Sequence, residues 1–352
     1  MNESKPSIRE IARRLHVHPS SVSRALTGSQ GVSESTRRDV LALAREIGYV
    51  PDARARQLRL GKRSGLAIIV EQQPTDITSH RNYQMFRLGS EAFQPLHVLV
   101  WSTSVPLDEV VLQAAAESVS GIIVSGIRTS LTGATVRQLR MHDIALVTVD
   151  GRIRGVDGVG IDRARGTREV VRLFELGGFR RPLYLSAGTS GRPDARLSGI
   201  IDGYRSLGRS LPEGAVLDIA GREYDQGYDL ADHVVRGAYD AVFCYNDRIA
   251  TGLIRGLHER QVQIPDDCSV VGFDDAPFAA YLPVPLTTVV QPTIECAVEA
   301  LEMLKRRIAS PARPVEFKLF ETHLSLRGTT RPVSLAIQDA VRETGVKSNR
   351  KE

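Results

Sequence analysis

The first hydrophobic pattern along the chain has the spacing of an amphipathic helix. Four apolar side chains recur at positions i, i+3, i+4 and i+7 and predict one buried helical face, formed by Ile8, Ile11, Ala12 and Leu15. Ser7 stands before this pattern and matches an S-x-x-E capping box with Glu10. We therefore predict a short helix that begins next to Ser7.

A second helical pattern follows after a turn at residues 16–18. Pro19 suits the first position of a helix, because the N–H that proline lacks would have no partner there. The apolar side chains are predicted to face inward and the polar ones outward, namely Val22, Ala25 and Leu26 against Ser20, Ser21, Ser23 and Arg24. A small helix that exposes hydroxyl groups and an arginine can enter a DNA major groove. The pair predicts a DNA-reading helix-turn-helix, with a purely structural helical pair as the alternative.

A third helix is predicted to start within the sequence VSESTR at residues 32–37, which is typical of a capped helix start. Its apolar face would comprise Val40, Leu41, Ala44 and Ile47, and Gly48 would end it. Residues 1–63 also hold 13 Lys and Arg against six Asp and Glu, a net charge of +7, whereas the whole chain carries +5. This distribution is expected for a phosphate-binding module attached to a nearly neutral body.

The remainder of the chain alternates short apolar runs with helical patterns. Such runs are typical of buried parallel strands, which we predict at residues 66–70, 98–100, 122–124, 145–149, 183–185, 216–219, 242–244 and 270–273. This part is long enough for two domains of ordinary size. The predicted fold class is α/β, preceded by an all-α helix-turn-helix domain.

Three motifs stand in a fixed order, SVSRAL at residues 21–26, VSESTR at 32–37 and GYVPDARARQL at 48–58. Their order and spacing resemble the LacI/GalR family of bacterial transcription regulators, and the likeness extends to about residue 331. The resemblance implies that Pro19, Ser20 and Arg24 contact base edges. Further residues are expected to help hold the DNA, namely Ser7, Ser21, Ser23 and Tyr49.

Two histidines depart from the family pattern. His16 stands where the family usually has Gly or another small residue, and a His in a left-handed conformation is tolerated but uncommon. His18 stands where a Ser usually caps the second helix. We therefore expect that cap to be weaker, or to be supplied by Ser20 or Ser21.

Residues 52–63 are predicted to form a hinge helix and linker. A helix this short is marginal in water without tertiary support, and its arginines, Arg56 among them, repel one another until phosphates neutralise them. The resemblance implies that Ala55 and Leu58 enter the minor groove of DNA, with Leu58 as a wedge at a central base step. Arg56 is expected at the same contact. The alternative is a plain basic linker.

The resemblance also implies an effector domain with two lobes, like that of periplasmic binding proteins, in which the chain crosses between lobes near Ile161, Pro292 and Phe320. The predicted division is as follows: residues 1–51, helix-turn-helix domain; 52–63, hinge helix and linker; 64–161 with 293–319, first lobe; 162–292 with 320–331, second lobe; 332–352, polar C-terminal tail.

Ligands of such open α/β folds bind at the carboxyl ends of the strands. The effector-site candidates at or near those predicted ends are Asp150, Arg196, Tyr224, Asn246, Asp274 and Gln291. Arg196 and Asp274 can make charge-assisted hydrogen bonds to sugar hydroxyls, and the resemblance assigns both of them, with Asn246, to the effector site. Asn246 has an equal claim as a helix N-cap, and Tyr224 would supply an aromatic wall.

The first lobe departs further from the family. The stretch between residues 70 and 98 is compressed, and its helix, at about residues 83–93, is predicted to be short. Glu71, Gln72 and Gln73 occupy a loop that usually offers small or apolar contacts. A carboxylate there favours a cationic ligand or faces solvent, and we adopt the second interpretation.

No sequence pattern points to catalysis, a metal or a cofactor. The three cysteines show no C-x-x-C spacing and the eight histidines no H-x-x-x-H. Residues 155–160, GVDGVG, fail the dinucleotide fingerprint, and neither a P-loop nor G-x-S-x-G is present. The chain shows no secretory segment and no membrane-spanning apolar stretch, which indicates a bacterial cytoplasmic protein. Its polar C-terminal end lacks the leucine heptads of a tetramerising coil but is compatible with a short helix.

The predicted function is sequence-specific regulation of transcription, as a repressor. The protein would bind a palindromic DNA operator as a homodimer and respond to a small polar effector, such as a sugar, held between its lobes. We expect neither enzymatic activity nor membrane binding. Two alternatives remain open: control of the same regulator by a protein partner, and a solute-binding protein.

Overall fold

The protein divides into two compact units, residues 1–63 and residues 64–352. The structure is a computed structural model, and the residues that it describes are 7–27, 31–47, 64–72, 76–117, 119–126, 130–186, 194–221 and 223–342. The described part of the first unit is helical, and the second unit combines helices with two parallel-stranded sheets.

The helices of the first unit are α1 (Ile8–Arg14), α2 (Pro19–Thr27) and α3 (Glu34–Glu46). Ser7 caps α1, since its hydroxyl accepts a hydrogen bond from the Glu10 N–H at 3.2 Å. The Glu10 carboxylate pairs with Arg13 and Arg14, at 2.9 and 2.7 Å. Of the predicted capping box, the Ser7 cap is therefore present, whereas the Glu10 side chain pairs with arginines of its own helix.

The core of this helical unit agrees with the predicted apolar faces except in α3. Its buried residues are Ile11, Ala12, Val22, Ala25, Val40 and Ala44. Leu41 was predicted to face this core and is instead 36% exposed, while Leu43 packs on the core. Leu43 lies three residues after Val40 and four before Ile47, which places it on their side of the helix.

The first sheet of the second unit consists of β1 (Gly65–Glu71), β2 (Leu96–Trp101), β3 (Val119–Ser125), β4 (Ala145–Val149), β5 (Asp157–Asp162) and β11 (Phe317–Glu321). All its neighbouring strands are parallel, in the order β11-β5-β4-β3-β1-β2. Its two faces are covered by α4 (Asp76–Ala92) and α12 (Thr293–Ala309) on one side and α5 (Leu107–Ala115) and α6 (Gly133–Met141) on the other. Because both faces are covered, β1 is buried along its whole length.

The second sheet consists of β6 (Pro182–Ser186), β7 (Val216–Asp218), β8 (Ala241–Phe243), β9 (Ser269–Asp274), β10 (Thr287–Val290) and β12 (His323–Ser325). Its order is β12-β10-β9-β8-β6-β7, with β12 antiparallel to β10 and the other pairs parallel. The associated helices are α7 (Arg163–Leu176), α8 (Ala195–Ser206), α9 (Tyr224–Asp229), α10 (Ala231–Arg236), α11 (Asp247–Glu259), the 3-10 turn Ala279–Tyr281 and α13 (Leu335–Arg342).

Every apolar run predicted as a strand overlaps an observed strand, but β2 is not wholly buried. It is an edge strand, and Val98 and Val100 are 46% and 66% exposed. The strands β5, β10, β11 and β12 were not predicted, because glycine, threonine and charged residues interrupt their apolar pattern. Helix α4 has 17 residues and is longer than the predicted 83–93.

The structure adds detail at two of the predicted boundaries. Phe320 and Glu321 still pair with β5 in the first sheet, so the chain passes to the second sheet at Thr322, close to the predicted crossing near Phe320. The predicted polar tail contains a packed helix, since Val341 of α13 is buried and Arg172 donates a hydrogen bond to the Ala340 carbonyl at 3.0 Å. The first part of the tail therefore belongs to the second sheet's hydrophobic core.

Candidate functional site

The turn before α2 contains both of the unusual histidines. His16 adopts a left-handed conformation with φ of 53°. The His18 ring accepts a hydrogen bond from the Ser20 N–H through Nδ1 at 3.2 Å, and the same nitrogen lies 2.8 Å from the Ser20 hydroxyl. His18 itself therefore caps α2, which corrects the expectation that Ser20 or Ser21 would do so.

The outer side of α2 presents the residues predicted to contact DNA. Pro19 is exposed at the first helical position, and Ser20, Ser21 and Ser23 are partly exposed. Arg24 is exposed, and its Nε and Nη2 reach the carbonyl and hydroxyl of Ser20, each at 3.3 Å. These contacts hold the arginine along the outside of the helix. Ser7, assigned to the same surface, is exposed and serves as the cap of α1.

The other predicted DNA contacts lie outside the described residues. These are Tyr49 and the three hinge positions Ala55, Arg56 and Leu58. Their assignments stay predictions.

The effector-site candidates of the second lobe meet at the carboxyl end of the second sheet. Asp274 ends β9, Gln291 follows β10 and Asn246 begins the helix after β8. The Gln291 amide donates a hydrogen bond to Asp274 Oδ1 at 2.6 Å. Asp274 has φ of 126°, a strained backbone conformation of the kind that clusters at ligand sites.

Arg196 lies between two aromatic rings. Its guanidinium carbon is 4.1 Å from the ring centroid of Tyr245 and 4.0 Å from that of Phe273. Nη2 is 3.7 Å from Asp274 Oδ1. The stacking fixes the plane of the guanidinium, so that it can present N–H groups to a ligand in one orientation.

Burial changes the ionisation of the carboxylates around this arginine. It raises the pKa of Asp274 to about 6, although Arg196 and the Gln291 hydrogen bond act in the opposite direction. Burial also raises the pKa of Asp247 well above its usual range, and the negative charge of Asp274 adds to the effect. Asp247 is held by Thr288 at 2.6 Å and by the Ala276 N–H at 2.7 Å, which indicates a structural role.

Asn246 and Tyr224 have different surroundings. The Asn246 side chain accepts a hydrogen bond from the Ile249 N–H at 2.9 Å, so it is the N-cap of α11 and is buried. Tyr224 begins α9, is 42% exposed and packs against Phe278 with ring centroids 6.1 Å apart. Tyr224 thus stands where an aromatic wall could form, near the loop that follows Asp274.

Asp150 is the centre of a buried ion-pair cluster that the sequence reasoning missed. It follows β4 with φ of 70° and accepts hydrogen bonds from Arg163 at 2.8 and 2.6 Å and from Arg81 at 2.9 Å. Arg81 also donates to Ser125, at the end of β3, at 3.0 Å. Burial by itself would raise the pKa of Asp150, but the attraction of both arginines and their hydrogen bonds outweigh it and lower the pKa well below the usual range.

Arg163 links the two halves of the site. It is the first residue of α7, directly after the crossing from β5. Burial would lower its pKa, yet the charges of Asp150 and Asp274 raise it. Arg163 therefore interacts electrostatically with carboxylates at the carboxyl ends of both sheets.

The position of Glu71 differs from the one predicted. We predicted that it faces solvent, but it is 7% exposed at the end of β1. Its carboxylate packs against Gly126, where a side chain would collide with it. Gln72 is exposed, and Gln73 lies outside the described residues.

Several buried polar atoms at this site have no hydrogen-bond partner among the described residues. These are the donors Arg81 Nε and Arg196 Nε and the acceptors Gln291 Oε1 and Asp194 Oδ2. Asp194 is the N-cap of α8 and lies beside Arg196, with Nη1 and Oδ1 3.8 Å apart. Such atoms are costly when buried, and a polar ligand can satisfy them.

The described residues were also compared with the requirements of a metal site, a disulfide bond and a membrane-spanning helix. Its side chains form no group of three or more His, Cys, Asp or Glu placed to hold a metal ion. Cys244, Cys268 and Cys296 are buried free thiols. Among the same residues, no helix has the length and apolar character needed to cross a membrane.

Two family models match the chain. Residues 7–52 match bacterial regulatory proteins of the lacI family, and residues 170–330 match a periplasmic binding protein-like domain. The chain thus carries a lacI-family regulatory domain at residues 7–52, and its curated relatives over nearly the whole length are regulators of transcription. It is accordingly a DNA-binding regulator of transcription and not an enzyme.

Individual lacI-family relatives align over nearly the whole chain. The transcriptional regulator MalR of Streptomyces coelicolor is 28% identical over 334 residues, which cover 91% of this chain and 95% of MalR. The solved lac repressor dimer bound to operator and the anti-inducer ONPF shares the fold with a TM-score of 0.73 at 20% identity, covering 94% of this chain and 100% of that one. A CelR–cellobiose complex has a TM-score of 0.61 at 24% identity, covering 92% and 99%.

The lacI-family resemblance led to the second-lobe candidates but not to Arg81 or Arg163. Arg81 lies within the compressed stretch before β2, where the resemblance is weakest. Arg163 directly follows β5, in which two glycines interrupt the apolar pattern. A charged residue directly after a predicted crossing between lobes was the available signal for Arg163.

Proposed function

We propose that this lacI-family protein is a homodimeric repressor that binds a palindromic operator. A small polar effector, a sugar or sugar derivative, binds between its two lobes. The effector changes the arrangement of the lobes and so shifts the population that can hold DNA. The hinge assignment of Ala55 and Leu58 to the minor groove is part of this proposal.

One observation carries the effector proposal: the unpartnered buried atoms of the site include both donors and acceptors. Arg81 Nε and Arg196 Nε can donate, whereas Asp194 Oδ2 and Gln291 Oε1 can accept, and none of the four has a partner among the described residues. A hydroxyl group both donates and accepts, so a polyhydroxylated ligand matches this mixture. The exposed ring of Tyr224 suits the apolar face of a sugar ring.

Two related structures support the proposal of a dimer that binds DNA and a sugar. The lac repressor was solved as a dimer with operator, and CelR was solved with cellobiose. In this chain, the edge strand β2 exposes the apolar side chains Val98 and Val100, which are suited to contact with a second copy.

A thermal-shift screen tests the effector proposal. The full-length protein is heated with sugars, sugar acids, polyols, nucleosides and amino sugars in turn. A ligand present at a hundredfold excess over its Kd should raise the stability of the folded state by about 2.7 kcal/mol. Arg196→Ala should abolish the shift, because it removes the stacked guanidinium.

Arg205→Ala is the matched control for this screen. It removes an exposed arginine from the same helix, α8, and should leave the shift intact. A screen without any hit would contradict the small-molecule proposal and favour control by a protein partner. A hit retained in Arg196→Ala would place the ligand elsewhere.

Selection of bound sequences from a library of palindromic DNA tests the repressor proposal. We expect an enriched site with two half-sites whose spacing reflects the two-fold symmetry of the dimer. Arg24→Ala should reduce the discrimination between this site and random DNA. Recovery of no enriched palindrome by the full-length protein would contradict the proposal.

A further inference from the structure

A cavity of about 430 Å³ lies at the amino-terminal end of the first sheet. It is lined by the first residues of β4 and β5, the end of α6, and residues 311–315 before β11, and we call it the basal cavity. Asp150 follows the opposite end of β4, and a five-residue strand spans roughly 16 Å. The basal cavity is therefore separate from the effector site.

The interior of the basal cavity is aliphatic. Its wall includes six branched side chains, Val136, Leu139, Ile144, Leu146, Val156 and Ile308. Its volume falls within the range of pockets that hold small organic molecules. These properties indicate a ligand with an apolar body.

One side of the basal cavity is built by a fully paired arginine. Arg307 donates two hydrogen bonds to Asp157, at 2.7 and 2.8 Å, and three to the carbonyls of Pro311, Arg313 and Pro314, at 3.0, 2.6 and 2.9 Å. These bonds use all five guanidinium N–H groups. The loop that closes this side is thus held in place before any ligand arrives.

The polar side of the basal cavity is provided by Arg140. Its side chain is exposed, and Nη2 donates to the Gly155 carbonyl, while Nε and Nη1 make no hydrogen bond to the described residues. Three arginines and two aspartates line the cavity, which gives a net charge of +1. Arg307 is paired with Asp157, and Arg313 pairs with Glu316 at 2.7 Å. Arg140 is therefore the guanidinium left to bind an anion.

We infer that the basal cavity binds a small organic acid, in which an alkyl or aryl body fills the aliphatic interior and a carboxylate pairs with Arg140. Asp143, the other carboxylate on the lining, is exposed like Arg140. It disfavours an anionic ligand less than Arg140 favours one, because Arg140 also offers directed N–H donors. This inference is independent of the effector proposed between the lobes.

Isothermal titration calorimetry of the full-length protein tests the inference, with octanoate and 2-naphthoate as probes and 1-octanol and 2-naphthalenemethanol as their neutral counterparts. We expect one saturable site per chain for the acids and weaker binding of the alcohols. Arg140→Gln should weaken acid binding roughly tenfold or more through loss of a charge-assisted hydrogen bond. Arg137→Gln, which removes an exposed arginine of α6 that does not line the cavity, should leave it unchanged.

A second variant tests the position. Val315→Trp adds bulk at the half-exposed rim of the cavity and should abolish binding of the acids, while the melting temperature shows that the protein still folds. Arg196→Ala in the effector site should not alter it. The inference is overturned by absence of saturable binding, by equal losses in Arg140→Gln and Arg137→Gln, by equal affinity for acid and alcohol, or by loss of binding in Arg196→Ala.

Discussion

Replacement of Asp150 by Asn should destabilise the second unit strongly. Asp150 and Arg81 are almost completely buried, with side-chain exposures of 2% and 3%, and Arg163 is 13% exposed. An amide of the same shape removes the negative charge and presents N–H groups to guanidinium donors, so two buried positive charges lose their partner. Breaking a buried ion pair in this way costs roughly 3–5 kcal/mol. In a unit of this size the loss corresponds to a fall in melting temperature on the order of 10 °C.

Urea denaturation of the full-length protein measures this loss, and its pH dependence provides a second readout. Because the pKa of Asp150 is lowered in the folded state, its stabilisation is fully present above the unfolded pKa of about 4 and is lost as the pH falls further. The difference between wild type and Asp150→Asn should thus be constant from about pH 7 to 5 and shrink below about pH 4. Asp143→Asn is the control: Asp143 is exposed with φ of 54°, which Asn tolerates equally.

A double-mutant cycle can refute the explanation by unpaired charge. Arg81→Met removes one of the two guanidinium groups that Asp150→Asn leaves without a carboxylate. In this background the Asp150→Asn replacement should cost at least about 1 kcal/mol less than in wild type. Equal costs in both backgrounds would show that the loss comes from local geometry and not from the orphaned charge.

Three further outcomes are expected. Ser7→Ala should remove the cap of α1 at a cost of about 1 kcal/mol, seen as a roughly fivefold loss of amide-exchange protection in that helix and not in α3. Gly166→Ala should lower the free energy of unfolding by about 1–3 kcal/mol in urea denaturation, because the added Cβ would collide with a valine of β10 and lie 2.8 Å from the Thr322 hydroxyl. Gly133→Ala is the control and should leave the stability unchanged, because its Cβ would meet only a flexible arginine side chain. Burial raises the pKa of Asp274 to about 6, so wild type should lose stability relative to Asp274→Asn as the pH rises from about 4 to about 6; a pH-independent difference in melting temperature would contradict this.

The helices and most strands could be predicted because their signals are local. A helix start needs only a capping side chain and an apolar period within a few residues, as at Ser7 and Pro19. The buried strands of a doubly covered sheet are continuous apolar runs, as in β1 and β4. The edge position of β2 was not predictable, because it depends on which strands lie beside it.

The family resemblance and the rule for ligand sites placed Arg196, Asp274 and Gln291 near one another. They did not show that Arg196 is stacked between Tyr245 and Phe273, nor that His18 caps α2 through its ring. The choice of a capping group depends on a rotamer, and a rotamer depends on the packing around it.

The sequence by itself determined the class of protein, its division into a basic helical unit and an α/β body, and the strand ends at which polar residues gather. Only the tertiary structure decided which charges meet. Arg81 and Asp150 are 69 positions apart, and Glu71 is buried against Gly126. Contacts of this kind have no local signal, because they arise only when parallel strands bring distant residues to one edge of a sheet, where burial strengthens each charge interaction.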